Sequence, residues 1–174
     1  MDYLSTYNSP LGVITIESDG ECLTGLWFEN EKYHKAPVGQ VSSEDKSGVL
    51  RLTASWLDAY FAGRDPGFTP PLKWNGSPFR QAVWEILLTI PYGTVITYGD
   101  IAEQLAQGGR MSAQAVGGAV GHNSISIVVP CHRVVGAKGN LTGYGGGMNR
   151  KVALLTLERA DMSGMFVPAK GTAL

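Results

Sequence analysis

The chain has 174 residues, of which 44% are hydrophobic, and a formal net charge of −1. This composition supplies a sizeable core for one or two domains and excludes a disordered chain. Two cysteines are too few for a disulfide framework, and we find neither a signal-peptide pattern nor an apolar run of membrane-spanning length. We therefore expect a cytoplasmic protein that does not associate with a membrane.

The first part of the chain has the pattern of a small β-sheet with one helix. Two runs rich in β-branched and aromatic residues, 13–16 and 23–28, flank a turn signal at Asp19, which predicts a hairpin. Residues 49–61 have a helical pattern that ends at a stretch containing glycines and a proline.

The second part of the chain is predicted to be mainly helical. Ser77 can cap a first helix that has a proline at its first position. Thr97 and Asp100 form a capping-box-like start for a second helix, and Ser112 can cap a third helix over 113–120. Two short helices joined by a glycine-containing turn are typical of a helix-turn-helix, although many helical hairpins bind nothing.

The domain boundary is predicted between these two parts. Prolines and a glycine punctuate residues 69–76, which is typical of a linker. We therefore predict an α/β (α+β) fold, with a small N-terminal β-sheet domain and its helix at 1–75. A mainly helical C-terminal domain with a helix-turn-helix follows at 76–174.

The most informative stretch of the chain is Pro130-Cys131-His132-Arg133-Val134. It follows the apolar run 125–129, whose length and β-branching predict a buried strand that the proline would end. A cysteine is nucleophilic as the thiolate, and a neighbouring histidine is a common means of producing one. A lone cysteine is more often a small buried hydrophobic residue, and His132 does not by itself decide against that alternative for Cys131.

A carboxylate offers a third candidate for this chemistry. Glu158 lies at the end of a predicted helix over 148–159 and shares a face with two leucines. A carboxylate among leucines must find a hydrogen-bond donor. His132 would be a functional partner, whereas Arg159 or solvent would be a structural one.

The C-terminal part of the chain is the basic part. Six basic and three acidic residues lie between Tyr98 and Ala160, which leaves a net charge of −4 for the remainder. The basic residues are Arg110, Arg133, Lys138, Arg150, Lys151 and Arg159. This excess suits a polyanion partner such as a nucleic acid. Scattered surface charge is the alternative, because six basic residues over this length do not form a dense patch.

Several separated motifs carry a family resemblance. They are Ser77-Pro78-Phe79, Ile90-Pro91-Tyr92-Gly93-Thr94, Ala115-Val116-Gly117-Gly118-Ala119, Pro130-Cys131-His132-Arg133-Val134, Leu141-Thr142-Gly143-Tyr144 and Leu154-Leu155-Thr156-Leu157-Glu158. In this order they resemble the signature of the O6-alkylguanine-DNA alkyltransferases. The likeness spans residues 77–159, with a looser match at 56–61, and is far more specific than one pentapeptide.

The resemblance implies a DNA repair reaction. An alkyl group, such as methyl, would pass directly from O6-alkylguanine, and from O4-alkylthymine, in double-stranded DNA to Cys131. Glu158 would hold His132, which would draw the proton from Cys131 through a water. The thioether product has no carbonyl for water to attack, so each protein molecule would react once. The resemblance implies no cofactor, and we expect a monomer.

The resemblance also implies which residues contact DNA or substrate. It places the helix over 113–120 in the minor groove, Tyr98 against the base and Tyr144 in the lining of the pocket. The implied binding residues are Tyr98, Gln114, Ala115, Gly117, Asn123, Arg133 and Tyr144. From the residues alone, the two tyrosines could equally be ordinary half-buried residues, Asn123 a turn residue, and the small helix residues a means of tight packing.

The chain departs from the family pattern at one position in particular. Family members commonly insert an arginine into the base stack just before the Ala-Val-Gly-Gly motif, where this chain has Gln114. This predicts weaker base flipping without a change in the transfer chemistry. Some family members also bind zinc in the N-terminal domain, but only Cys22 and His34 are candidate ligands there, so we predict no metal.

Two other functions compete with alkyl transfer. A non-enzymatic binder of alkylated DNA would resemble the alkyltransferase-like proteins, which replace the reactive cysteine, whereas this chain keeps Cys131. A Cys-His-Glu hydrolase would turn over an ester or amide substrate, and stoichiometric loss of the thiol would exclude it.

Overall fold

The computed structural model describes residues 2–32, 41–42 and 48–169. The chain divides into two compact units. Unit 1 comprises Met1–Asn75 and Ser124–Val128, and unit 2 comprises Gly76–Asn123 and Val129–Leu174. His34, considered above as a metal ligand, lies outside the described residues. No helix in the described ranges is long and apolar enough to cross a membrane.

Unit 1 is built on a four-stranded sheet with one helix. The strands are β1 (Asp2–Ser9), β2 (Gly12–Ser18), β3 (Leu23–Phe28) and β4 (Val41–Ser42), in the order β3-β2-β1-β4. Both β1–β2 and β2–β3 are antiparallel, and β4 pairs parallel with β1. Helix α1 (Val49–Phe61) packs against the sheet.

The predicted hairpin at Asp19 and the predicted helix are therefore confirmed, whereas β1 was not predicted. The sequence of β1, Asp-Tyr-Leu-Ser-Thr-Tyr-Asn-Ser, lacks the clean alternation of apolar and polar residues that marks a half-buried strand. By contrast, Ile14 and Ile16 of β2 are fully buried two residues apart, so the period of two is visible there.

The segment 125–129 is buried, but the prediction of a strand there was wrong. Ile125 forms one isolated bridge with Leu26, in which Ser126 N–H donates to Leu26 O over 2.8 Å. The backbone then turns, and Ile127 has a left-handed φ of 68°. The apolar, β-branched composition of the segment therefore reflects burial rather than a sheet ladder, and the two are indistinguishable in a run of five residues.

The helices of unit 2 begin at the predicted caps. Helix α2 (Pro78–Leu88) follows Ser77, whose hydroxyl accepts from Arg80 N–H. After β5 (Ile96–Thr97) comes α3 (Tyr98–Ala106), which Thr97 and Asp100 cap reciprocally. Helix α4 (Ala113–Gly121) follows Ser112 and runs one residue beyond the predicted end. Helices α2, α3 and α4 pack together, and the Trp84 indole donates to Ala119 O over 2.9 Å.

The remainder of unit 2 consists of short elements that carry the Cys131 motif, followed by one helix. A 3₁₀ turn (Cys131–Arg133) leads into β6 (Val134–Val135), which pairs parallel with β5. Helix α5 (Met148–Leu157) ends two residues before the predicted end, because Arg159 adopts a left-handed φ of 56° and Glu158 occupies the C-cap. The predicted fold class, a sheet with a helix followed by a mainly helical part, is confirmed.

Candidate active site

Cys131 lies where the chain turns out of a buried segment. It is the first residue of the 3₁₀ turn after Pro130, and its backbone N–H donates to Val129 O over 2.8 Å. The residue is 7% exposed. The position of Cys131 is therefore fixed by the backbone of the turn, and His132 follows it in the chain.

The structure brings His132 and Glu158 together. Both side chains are fully buried, and His132 Nε2 donates to Glu158 Oε2. Arg159, the alternative partner considered for Glu158, is exposed. A carboxylate only accepts, so the proton on this side of the imidazole belongs to Nε2. Nδ1 is then the ring nitrogen with a lone pair, which is the atom a general base uses.

Further donors fix the Glu158 carboxylate. Its Oε1 accepts from Arg133 Nε over 2.7 Å and from the backbone N–H of Gly93 over 3.0 Å. The Arg133 guanidinium also donates from Nη1 to Ile90 O over 2.8 Å and lies 5.7 Å from the centroid of the Tyr92 ring. The carboxylate therefore has little freedom, and the imidazole that it holds is oriented with it.

The backbone conformation of Gly93 and its closeness to Glu158 both favour glycine at this position. Its φ is +75°, and a Cβ would lie 2.9 Å from Glu158 O. A larger residue would thus be strained and would push against the C-cap of α5. Sequence reasoning assigned no role to Gly93, although it lies in one of the motifs that carry the family resemblance.

The ionisation states follow from this burial and these contacts. Burial opposes ionisation of Glu158, but the hydrogen bonds and charges of His132 and Arg133 outweigh it and lower its pKa to about 2. Burial lowers the pKa of His132, and the positive charges of Arg133 and Lys151 act in the same direction, although Glu158 opposes them. At neutral pH the pair is a carboxylate and a neutral imidazole, ready to accept a proton.

The two predicted tyrosines are both buried in this part of unit 2. Tyr98 donates its hydroxyl to Thr142 O over 3.0 Å, and burial, together with the charge of Cys131, raises the pKa of that hydroxyl. The Tyr144 ring meets the His132 ring edge-on, with centroids 6.5 Å apart. Lys151 also reaches Thr142 O, over 2.8 Å, although sequence reasoning counted it as surface charge.

The residues of α4 that were predicted to contact DNA lie on two different faces of the helix. Gln114 and Ala115 are exposed, whereas Gly117 is buried. We therefore assign Gly117 to packing within unit 2 rather than to surface contact. Asn123, just beyond the helix, donates from Nδ2 to Val129 O over 2.9 Å and so links the end of α4 to the segment before Cys131.

The basic surface is smaller than the sequence count indicated. Lys151 is fully buried and Arg133 is 8% exposed, so neither adds to an open basic patch. Arg133, expected among the binding residues, instead uses its guanidinium to hold Glu158. We call His132, Arg133, Lys151 and Glu158 the buried ionisable cluster. Within the described ranges, no group of three or more His, Cys, Asp or Glu side chains is placed to hold a metal ion.

Family models match nearly the whole chain. The model described as "6-O-methylguanine DNA methyltransferase, ribonuclease-like domain" matches residues 3–74. The model described as "6-O-methylguanine DNA methyltransferase, DNA binding domain" matches residues 78–160, which include Cys131, His132 and Glu158.

Individual relatives are similar over almost their full length. The chain is 45% identical over 160 residues to the methylated-DNA–protein-cysteine methyltransferase of Mycobacterium tuberculosis (strain ATCC 25618 / H37Rv), which covers 92% of this chain and 94% of the relative. It is 42% identical over 158 residues to the protein of the same name from Haemophilus influenzae, covering 90% of this chain and 86% of the relative.

Solved structures agree with the sequence matches. The crystal structure of Mycobacterium tuberculosis OGT in complex with DNA aligns with a TM-score of 0.80 at 45% identity, covering 92% of this chain and 96% of that one. An O6-methylguanine DNA methyltransferase from Methanococcus jannaschii aligns with a TM-score of 0.64 at 28% identity, covering 98% and 99%. By sequence, family model and fold, the chain belongs to the 6-O-methylguanine DNA methyltransferase family.

Proposed function

We propose that this protein repairs DNA by transferring an alkyl group from O6-alkylguanine to the sulfur of Cys131. The observation that carries the proposal is the buried His132–Glu158 pair next to Cys131 in sequence. A relative named methylated-DNA–protein-cysteine methyltransferase supports the reaction, and the structure of Mycobacterium tuberculosis OGT in complex with DNA supports the partner.

The arrangement suits proton removal followed by displacement. His132 Nδ1 takes the thiol proton, and Glu158 stabilises the imidazolium that forms. The thiolate then attacks the alkyl carbon, so that a C–S bond forms while the bond between that carbon and guanine O6 breaks. The electron pair of the broken bond stays with the guanine, which takes up a proton and is restored. No cofactor is required for this balance.

Tyr98 is the candidate donor to the departing guanine. Its hydroxyl donates to Thr142 O in this structure, so acting on a base requires the hydroxyl to turn from that carbonyl. Burial raises its pKa, which keeps the hydroxyl protonated and available as a donor at neutral pH. Tyr144, buried beside His132, is the candidate for the wall against which the base lies.

DNA engagement is assigned to the exposed face of α4. Gln114 and Ala115 are exposed there, and a Cβ added to Gly118 or Gly121 would meet no atom within 4 Å. Such a face lets the backbone approach another surface closely. A base inside a duplex cannot reach a buried thiol, so the alkylated nucleotide must leave the stack.

The product explains why the protein is consumed. A thioether offers water no carbonyl to attack, so the alkyl group remains on Cys131 and each molecule acts once. A hydrolase built on the same three residues would instead release product and turn over. A protein that only binds alkylated DNA would not need a reactive cysteine, and the presence of Cys131 therefore argues against that alternative.

Stoichiometry tests the proposal. Increasing amounts of protein are incubated with excess duplex DNA that carries O6-[³H-methyl]guanine, and protein-bound label is counted at completion. We expect one methyl per protein molecule for the wild type. Cys131→Ala should bind the same duplex but acquire no label. Label transferred to Cys131→Ala, or many turnovers per wild-type molecule, would contradict the proposal.

We also propose a second substrate, an oligomeric state and a location for the protein. We expect activity on O4-alkylthymine, measured with a matched O4-methylthymine duplex. We also expect a monomer, because the cysteine, the imidazole and the carboxylate all come from one chain. Sedimentation with and without duplex DNA checks this.

A reactive thiol needs a reducing compartment, so we propose that the protein is cytoplasmic, without a membrane partner.

A further inference from the structure

The chain continues past the C-cap of α5 and pairs with the loop at 136–142. We call residues 162–166 the C-terminal strap. Leu141 N–H donates to Phe166 O over 2.9 Å, and Phe166 N–H donates to Gly139 O over 3.0 Å. These two bonds form an isolated parallel bridge. The strap is therefore joined to the loop through its backbone, although the reaction described above makes no use of it.

The strap and the loop approach each other too closely for a side chain to lie between them. Gly139 has a φ of +83°, and a Cβ at this residue would lie 2.5 Å from Gly164 O. Because the nearest atom belongs to the backbone, turning a side chain could not relieve that contact. The strap also covers apolar residues, since two of its methionines pack against a buried cluster. The methionines are Met162 and Met165, and the cluster is Val135, Leu141 and Leu155.

The loop carries the carbonyl group that holds Tyr98. Thr142 directly follows Leu141 and is 3% exposed, and its O accepts the Tyr98 hydroxyl over 3.0 Å. Lys151 Nζ donates to the same oxygen over 2.8 Å. The position of Thr142 O is therefore determined by α5, through Lys151, and by the strap, through the bond that it makes one residue earlier.

The position of Thr142 O in turn determines where the Tyr98 hydroxyl lies. The Tyr98 ring is 2% exposed. Rotation about the bond between ring and oxygen redirects the hydroxyl proton but leaves the oxygen in place. The oxygen must therefore already lie within hydrogen-bond reach of a bound guanine. A misplacement of about 1 Å in such a geometry can slow a reaction roughly 10²-fold.

We propose that the C-terminal strap is a positioning element of the alkyl-transfer site. Its backbone bonds at Phe166 fix the loop so that Thr142 O holds the Tyr98 hydroxyl where the departing guanine can accept its proton. The strap itself makes no bond to the substrate. Its part in transfer rests on the proposed function, whereas its effect on the Tyr98 hydroxyl does not. The alternative is a strap that only covers the apolar cluster.

One backbone donor of the strap can be removed selectively. Phe166→Pro removes the N–H that donates to Gly139 O and keeps the carbonyl that accepts from Leu141. Phe166→Ala keeps both backbone groups and is the matched control, because the Phe166 side chain is 49% exposed. Each substitution is made in the wild type and in Tyr98→Phe.

Two reagents separate an effect on Tyr98 from an effect on Cys131. Free O6-benzylguanine gives up its benzyl group to the Cys131 sulfur, and the guanine that leaves must gain a proton. Iodoacetamide alkylates the same sulfur, but its leaving group is iodide, which needs no proton donor. Both rates are measured by the mass of the Cys131 peptide.

We expect Phe166→Pro to slow benzyl transfer roughly tenfold and to leave the rate with iodoacetamide unchanged. In the Tyr98→Phe background, Phe166→Pro should cause no further slowing, and Phe166→Ala should have no effect in either background. A wild-type rate of benzyl transfer in folded Phe166→Pro would overturn the proposal. Equal slowing with both reagents, or equal slowing with and without the Tyr98 hydroxyl, would also overturn it.

A second variant tests the same contact if Phe166→Pro does not fold. Gly139→Ala would place a Cβ against Gly164 O and push the strap from the loop. Gly67→Ala is its control, because Gly67 has a similar φ of +75° but no atom within 4 Å of an added Cβ. The same two rates are measured, and Gly139→Ala should slow benzyl transfer alone.

The position of the Tyr98 hydroxyl is also measured without substrate. With ¹³C-labelled tyrosine, the Cζ resonance of Tyr98 reports the hydrogen bond of its hydroxyl, and Tyr98→Phe assigns that resonance. We expect it to shift in Phe166→Pro and Gly139→Ala but not in their controls. An unchanged resonance in both variants would overturn the proposal. If the wild type took up no benzyl group, the proposed function would fail, and this comparison would still decide whether the strap positions Tyr98.

Discussion

The buried ionisable cluster and the exposed face of α4 lie in the same unit but are built in opposite ways. The cluster consists of long, charged or titratable side chains, fixed by hydrogen bonds within the protein. The face of α4 offers small residues and Gln114 to solvent. Under the proposed function, the difference leads us to expect that the reactivity of Cys131 is set before DNA arrives, whereas α4 affects only how well the damaged base is delivered.

A free base and a duplex substrate can distinguish the contributions of the buried ionisable cluster and of α4. Free O6-benzylguanine needs no base flipping, whereas a duplex substrate does. Changes in the cluster should therefore affect both substrates alike. Changes on the exposed face of α4 should affect the duplex alone.

The largest effect is expected at Glu158. Glu158→Gln removes the charge that orients and stabilises His132, so we expect single-turnover transfer to slow roughly 10²-fold on both substrates. Glu85→Gln, at an exposed glutamate of α2, is the matched control. Rapid-quench measurement of protein-bound alkyl group gives the rates. An unchanged rate in folded Glu158→Gln would assign Glu158 a purely structural role.

Stability in acid gives the next test of the cluster. The pKa of Glu158 is lowered from 4.5 to about 2 in the folded protein. Its contribution to the free energy of unfolding is therefore present above pH 4.5 and is lost as pH falls toward the folded value, about 3 kcal/mol in all. Urea unfolding across this range should show a smaller acid loss for Glu158→Gln than for wild type or Glu85→Gln. Parallel curves for all three proteins would mean that the carboxylate is not selectively stabilised.

The smallest effect is expected at Gln114. Glutamine is shorter than arginine and neutral, so we expect it to fill the space of a flipped base less well than arginine and to attract phosphates less. Gln114→Arg should raise the rate or affinity on duplex DNA, by less than about tenfold because one exposed charge is worth about 1 kcal/mol or less. The rate with free O6-benzylguanine should not change. Equal gains on both substrates would show that α4 influences the chemistry itself.

The sequence predicted the helices well because their starts are local. Ser77, Thr97 and Ser112 each accept a backbone N–H at the start of a helix, and this chemistry is readable within four residues. The segment 125–129 was misassigned because burial by unit 1 produces the same apolar composition as a strand. Strand β1 was missed because its pairing partners, rather than its own pattern, define it.

The candidate site was only partly predictable. Pairing of His132 with Glu158 was one of the alternatives, since a carboxylate on a leucine face needs a donor. The roles of Arg133 and Lys151 were not predicted, because a basic residue is ordinarily exposed and only the fold shows that both are buried. Gly93 likewise acquires its role from a contact 65 residues away in the chain.

The central claim is that Cys131, and not Cys22, receives the alkyl group once. Trypsin places the two cysteines in separate peptides, residues 1–32 and 111–133. After reaction with an O6-methylguanine duplex, mass spectrometry should find the 111–133 peptide heavier by one CH₂, the replacement of the thiol proton by methyl. Fragmentation should locate the added mass on Cys131, with the 1–32 peptide unchanged. A methylated Cys22, or an unmodified 111–133 peptide after the DNA has been repaired, would contradict the account.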